Sequence, residues 1–228
     1  MSGGRPLIVA IDGPAGVGKS SVSKRLARRL GIPYLDTGAM YRALGLKVLE
    51  SGIDPADRAA VEAIAARTEV SLRSGEDGRF EVLLDGEPVE SRIRTPEVSE
   101  ATSTVSAYPE VRRRMVAQQQ ETAHRLGGVL EGRDIGTRVF PETPHKFFLS
   151  ARTDVRGRRR FEELIAAGRA LTYEQVLEDL ARRDLRDSTR DDSPLTHDET
   201  YTLVDTSNLT IDEVVEKMAQ SVAKKVEP

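Results

Sequence analysis

Eight residues near the amino terminus, Gly13-Pro14-Ala15-Gly16-Val17-Gly18-Lys19-Ser20, carry the spacing G-x-x-x-x-G-K-[ST]. Glycines at those offsets let successive backbone N–H groups curl around phosphate oxygens, and the lysine adds a cation over the β- and γ-phosphates. Ser20 offers a hydroxyl suited to Mg²⁺, and Asp12 or Asp36 could hold the ion's water shell. The chemistry implied is binding of a nucleoside triphosphate, with Gly13, Pro14, Ala15, Gly16, Val17, Gly18, Lys19, Ser20 and Ser21 around its phosphates.

Moving a phosphoryl group onto a second phosphate brings like charges together, so cationic side chains must accompany the loop. Arg42 follows Asp36-Thr37-Gly38-Ala39-Met40-Tyr41, and Arg133 stands with Asp134 after the apolar stretch Val129-Leu130. Both fall at expected strand ends, on the side where α/β sheets bind ligands. Arg112 lies beside Arg113 and Arg114, which suits a solvated face as well as a site. Arg183, Asp187 and Arg190 recur at i, i+4 and i+7 along one face of an expected helix. That face can clamp anions, or it can be a lattice of salt bridges worth about a few tenths of a kcal/mol per pair. The run Arg156-Gly157-Arg158-Arg159-Arg160 reads as a solvated helix face, and His124, His145 and His197 as structural or surface residues.

Elements in alternating order must position these groups. Leu7 to Ile11 is a continuous branched apolar run, as in a strand buried on both faces of a parallel sheet. Val22, Leu26 and Leu30 then recur at helical spacing, with Gly31 as a stop. Tyr34-Leu35-Asp36 predicts a second strand, followed by a helix from about Gly38 to Glu50. Between Val70 and Val89 the pattern changes to short alternating stretches separated by Gly75, Asp77 and Gly78, with a tight turn at Asp85-Gly86. Helical sequence returns from about Thr95 to Arg125. Strands at Gly128-Val129-Leu130, Lys146 to Leu149 and Tyr201 to Asp205, two charged helices around Gly168, and a final helix from about Ile211 complete the chain. The expectation is an α/β fold: a five-stranded parallel doubly wound sheet with a small antiparallel β insert. It forms one domain over residues 1–228.

Bulk properties narrow the function. The 228 residues are 38% hydrophobic, with 34 basic against 37 acidic side chains, so no global field draws the molecule to nucleic acid or anionic membrane. No run reaches the length of a signal peptide or membrane span, which leads us to expect a cytoplasmic protein. Zero cysteines remove disulfides and thiolate chemistry, and scattered histidines argue against a histidine metal site. An Asn-Lys-x-Asp guanine reader is missing, as is an Asp-x-x-Gly element placed to sense a γ-phosphate, so a small-molecule kinase is expected rather than a GTP switch. The alternatives kept are another P-loop small-metabolite kinase and a nucleotide-dependent regulatory protein without turnover.

Four separated motifs, Ile11 to Ser20, Leu35 to Arg42, Gly132 to Thr137 and Arg183 to Asp187, stand in the order found in bacterial cytidylate kinases, and over nearly the whole length the chain resembles that family. The resemblance implies transfer of the ATP γ-phosphoryl group to cytidylate, and to deoxycytidylate, with Mg²⁺. It also implies a monophosphate-binding insert at about 65–100 and a helical lid at about 155–192. By the same route Thr37, Arg42, Ser103, Arg112, Arg133, Asp134, Arg183, Asp187 and Arg190 line the acceptor site. Arg133 and Asp134 read the base, Asp187 addresses the sugar, and Arg42, Arg183 and Arg190 take the phosphates. Catalytic roles fall to Lys19, Arg133, Arg183, Arg186 and Arg190. Small nucleotides are the expected partners, with no nucleic acid or membrane, and a monomer is the expected state.

Overall fold

Branched apolar residues with no room for water on either side form the central strand β1 (Ile8–Asp12), whose last four residues are fully buried. The computed structural model describes residues 6–74 and 80–226. Its main sheet has five strands in the order β2-β6-β1-β7-β8, with β2 at Tyr34–Asp36, β6 at Gly128–Glu131, β7 at His145–Ser150 and β8 at Thr202–Asp205. Parallel registers set Ile11 opposite Phe147 and Leu149 opposite Val204. A separate antiparallel sheet joins β3 (Val70–Ser74), β4 (Phe80–Leu84) and β5 (Glu87–Pro88). The α/β class and both sheets agree with the reading of the sequence. Tyr201 lies just outside β8 rather than within it.

The chain divides into two compact units, one of residues 1–8 with 32–128 and the other of residues 9–31 with 129–228. In the first, α2 (Thr37–Glu50) and α3 (Arg58–Arg67) precede the small sheet, and α4 (Pro96–Val105) and α5 (Pro109–Leu126) follow it. Met40, Leu44, Ile64, Val82, Ile93 and Met115 form its apolar core. Helix α3 was not expected from the sequence, although it buries Val61, Ile64 and Ala65 at helical spacing; Asp57 starts it by accepting the Ala60 amide. The single helical stretch expected from Thr95 to Arg125 is broken in two. Proline at 109 forbids a continuing helix hydrogen bond and forces Tyr108 to an extended backbone, so α5 restarts with Pro109 at its first position. Gly45 lets α2 approach α4 closely, since a Cβ there would stand 2.5 Å from Thr102 Oγ1. Asp85 and Gly86 both take positive φ, the two-residue turn that matches strand twist in the β4–β5 hairpin. The turn expected at Gly75, Asp77 and Gly78 lies outside the described residues.

In the second unit α1 (Lys19–Leu30) packs against α8 (Ile211–Val226), and α6 (Thr153–Ala166) packs against α7 (Tyr173–Thr189). Thr172 and Gln175 form a reciprocal capping box at the start of α7. Ala15 joins Val176 and Leu180 in a small apolar cluster, which ties the glycine-rich loop to α7. A π-helical turn at Ile135–Val139, not foreseen from the sequence, links β6 to β7. Among the described residues no helix is long and apolar enough to cross a membrane.

Candidate active site

The glycine-rich loop leaves β1 at Asp12 under tight steric constraint. Gly13 has φ +148°, and a Cβ there would sit 2.2 Å from the Leu149 carbonyl oxygen, so only glycine fits. Helix α1 then begins at Lys19 with Gly18 as its cap and no side-chain cap hydrogen bond. Its first-turn amides are the donors that an anion satisfies at a helix N-terminus. Ser20 and Ser21 are exposed on that turn. Lys19 is buried and turns back on the loop, donating from Nζ to the carbonyls of Gly13 and Pro14, each at 2.6 Å. Burial, and then the Arg133 guanidinium, push its ammonium well below the ordinary pKa, while Glu131, Asp12 and Asp187 oppose the shift.

Arg133 follows β6, where its Nε donates to Asp187 Oδ2 at 2.7 Å. Arg190 reaches Asp134 at 3.6 Å and Asp187 at 4.0 Å. Burial raises the Asp187 pKa, but Arg133, Arg190 and Arg183 outweigh it and hold the carboxyl below its ordinary value. Arg183 has no hydrogen bond or close ion pair among the described residues, and burial followed by the charge of Arg133 lowers its proton affinity. Arg186 lies on the same helix, half-buried. The second unit thus gathers Lys19, Arg133, Asp134, Arg183, Asp187 and Arg190. Of the two readings of the α7 face, the ion pairs are real, yet they leave Arg183 over.

The first unit holds the other candidates. Asp36 caps α2 by accepting the Ala39 amide at 2.9 Å and pairs with Arg42 at 2.8 Å. Arg42 folds back over Gly38, where a Cβ would stand 3.1 Å from its Nη1. Thr37 is buried as the first residue of α2. Ser103 is half-buried on α4. Arg112 is not part of a solvated face: it is 2% exposed, donates to the Ser106 carbonyl at 3.2 Å and lies 5.4 Å over the Tyr41 ring, while Arg113 beside it is exposed.

Several residues here were not singled out in the sequence. Arg156 is a correction to the solvated reading of its run: it is buried, donates to the Ala15 carbonyl at 3.2 Å and pairs with Asp184 at 2.6 Å. Arg159 also turns inward, to Thr206, whose hydroxyl donates to the Val17 carbonyl at 3.0 Å. Both arginines brace the loop from outside. Glu131 ends β6 in a buried position; its only sequence signal was an acid closing an apolar run.

The donor set suits a hard cation. Among the described residues no three acidic or histidine side chains cluster to cage a metal, and Mg²⁺ is ordinarily held by one or two protein oxygens with phosphate and water. The exposed Ser20 hydroxyl on the loop helix meets that need. Asp12 and Asp36 already accept hydrogen bonds from protein groups, so either would act through water.

The family model described as cytidylate kinase matches residues 9–224. A cytidylate kinase of Caldanaerobacter subterraneus is 48% identical, with 95% of this chain and 94% of the relative covered. One from Corynebacterium glutamicum is 50% identical, with 97% and 96% covered. Among solved structures, an uncharacterized protein from Eubacterium ventriosum shares the fold at a TM-score of 0.56 and 14% identity, covering 96% of this chain and 99% of its own. With a family match along nearly the whole sequence and relatives this similar, the chain belongs to the cytidylate kinase family.

Proposed function

We propose that the protein transfers the γ-phosphoryl group of ATP to cytidylate, giving ADP and cytidine diphosphate, with deoxycytidylate as a second acceptor. The observation that carries this reading is the crowding of Lys19, Arg133 and Arg183. Burial and the charge of Arg133 lower the proton affinity of both Lys19 and Arg183. Such repulsion is relieved by a polyanion, and phosphoryl transfer needs little more than its positioning and charge neutralisation.

In this reading the first-turn amides of α1 and the Lys19 ammonium hold the donor phosphates. Lys19 exchanges two backbone carbonyls for phosphate oxygens. Ser20 would hold Mg²⁺, which when bound supplies charge neutralisation at the transferred group. A cavity of about 280 Å³ lined by Arg152, Val155, Arg158 and Ser207 among others suits the donor's nucleoside, lying beside the Arg159 and Thr206 brace. Arg133 donates to cytosine O2 and N3, and Asp134 accepts from the N4 amino group. Asp187 takes the sugar, while Arg183, Arg190 and Arg186 stabilise the charge that develops in transfer. For Thr37, Arg42, Ser103 and Arg112 we propose acceptor-binding roles on the family resemblance.

The test is ADP formation with ATP and Mg²⁺, comparing cytidylate, deoxycytidylate, uridylate, adenylate, guanylate and thymidylate. A cytidine preference that Asp134→Ala removes is the expected result. Equal or absent turnover with all six would sink the assignment and favour a non-nucleotide acceptor or a regulatory role.

A further inference from the structure

Asp12 lies one residue before the glycine-rich loop, with its side chain fully buried. Its Oδ1 accepts the Ile135 amide at 2.9 Å. Oδ2 accepts the Gly136 amide at 2.9 Å and the Tyr201 hydroxyl at 2.8 Å. The two amides open the π-helical turn for which Asp134 is the cap residue. A cap residue ordinarily satisfies such first-turn donors with its own side chain. Asp134 makes no side-chain cap hydrogen bond, and its carboxylate is directed to Arg190. Asp12 therefore does the capping from another strand, which lets the Asp134 carboxylate serve elsewhere.

Tyr201 completes the arrangement. It stands immediately before β8, and its hydroxyl also interacts with Thr137. Its ring is packed edge-on to Phe148 and lies under the Lys146 ammonium at 5.8 Å. It lies so close to Gly136 that a Cβ on that residue would stand 2.5 Å from the phenol oxygen. The end of β1, the turn after Arg133-Asp134 and the start of β8 are thus referred to one carboxylate. A buried group of this kind has few alternative arrangements, since any unpaired donor or acceptor there is costly.

We propose that Asp12 and Tyr201 are positioning residues that set the aim of Arg133 and Asp134, and so the affinity and selectivity for the acceptor base, separately from the grip of the loop on the donor. This rests on the reading of Arg133 and Asp134 as the base-recognising pair. Neither Asp12 nor Tyr201 need touch the substrate for the effect.

The experiment uses the full chain carrying Tyr201→Phe, which keeps the ring packing and removes only the hydroxyl. Steady-state kinetics should show KM for cytidylate raised about three- to tenfold and the preference over uridylate narrowed, with kcat and KM for ATP within about twofold of the parent. Unchanged kinetics, or a rise in both KM values together, would overturn the proposal. A kcat loss that merely follows a lower Tm would also overturn it, leaving Tyr201 a stability residue. Amide hydrogen exchange gives a readout independent of turnover: Ile135 and Gly136 should exchange faster in the variant while the α1 amides do not. Unaltered exchange at Ile135 and Gly136 would overturn the pair as a clamp. If the parent itself fails to phosphorylate cytidylate, the functional reading falls, and the exchange result still decides the clamp.

Discussion

Two carboxylates in the second unit, Asp12 beneath the glycine-rich loop and Asp187 on α7, are both withdrawn from water and yet are driven in opposite directions. Asp12 is hydrogen-bonded only to two amides and a phenol; burial dominates, the nearby Asp134 charge adds to it, and the pKa rises to about 6. Asp187 also bears a desolvation penalty but faces Arg133, Arg190 and Arg183, which hold it below the ordinary carboxylate range. Burial alone does not decide the charge; the kind of neighbour does. The floor of the loop is held by hydrogen bonds of fixed geometry, as a rigid support requires. The α7 region is held by ion pairs with a cation to spare, and under the proposed function those partners would exchange for phosphate.

The largest expected effect tests that division through catalysis. Lys19→Met should lower kcat by about 10³ and weaken ATP binding, whereas Arg183→Met should lower kcat by about 10²–10³ with ATP affinity nearly kept. Equal loss of ATP affinity in both variants, measured by titration calorimetry, would break the distinction between a donor-holding floor and a charge-stabilising arm.

A smaller effect lies in pH-dependent stability. The raised pKa of Asp12 means the native state binds the proton more tightly than the unfolded chain. Its contribution is therefore full below pH 3.8 and is lost as the pH rises through about 6, on the order of 2–3 kcal/mol in all. Asp187 has the opposite sign: its contribution is present above the unfolded value and is lost as the pH falls through its lowered native pKa. Denaturation followed from about pH 2 to 7 should accordingly show that Asp12→Asn removes a falling limb between the ordinary carboxylate value and about 6, and Asp187→Asn a rising limb below that ordinary value. Parallel curves for both variants would refute the contrast.

The smallest effect is a control outside both regions. Arg25 and Arg29 on α1 pair with Asp212 and Glu216 on α8, all well exposed. Arg29→Ala should change stability by less than about 0.5 kcal/mol in chemical denaturation, and a larger loss would show that exposed pairs here matter as much as the buried network.

Much of this was legible in the primary structure because it is local. The glycine spacing before Lys19, the apolar run of β1, the stop at Gly31 and the Asp85-Gly86 turn each specify backbone geometry within a few residues. The spacing of Arg183 and Asp187 places them one turn apart on α7, whereas Arg190, expected on the same helical face, is the cap residue after Thr189 with an extended backbone. What the chain could not disclose were choices among equivalent neighbours. Arg112, Arg113 and Arg114 are alike in sequence, and only the packing of α5 buries the first and exposes the second. The same holds for Arg156 and Arg159 within their basic run.

The sequence by itself determined the phosphate loop, the order of the five main strands and the family, because period, turn chemistry and motif spacing are properties of short segments. The tertiary structure alone decided that Tyr201, 189 residues from Asp12, closes its hydrogen bonds. It also decided that Asp12 rather than Asp134 caps the π-helical turn, and that Arg183 is left over from the ion pairs. Those outcomes depend on which polar groups are desolvated together, and desolvation is fixed only when distant segments pack.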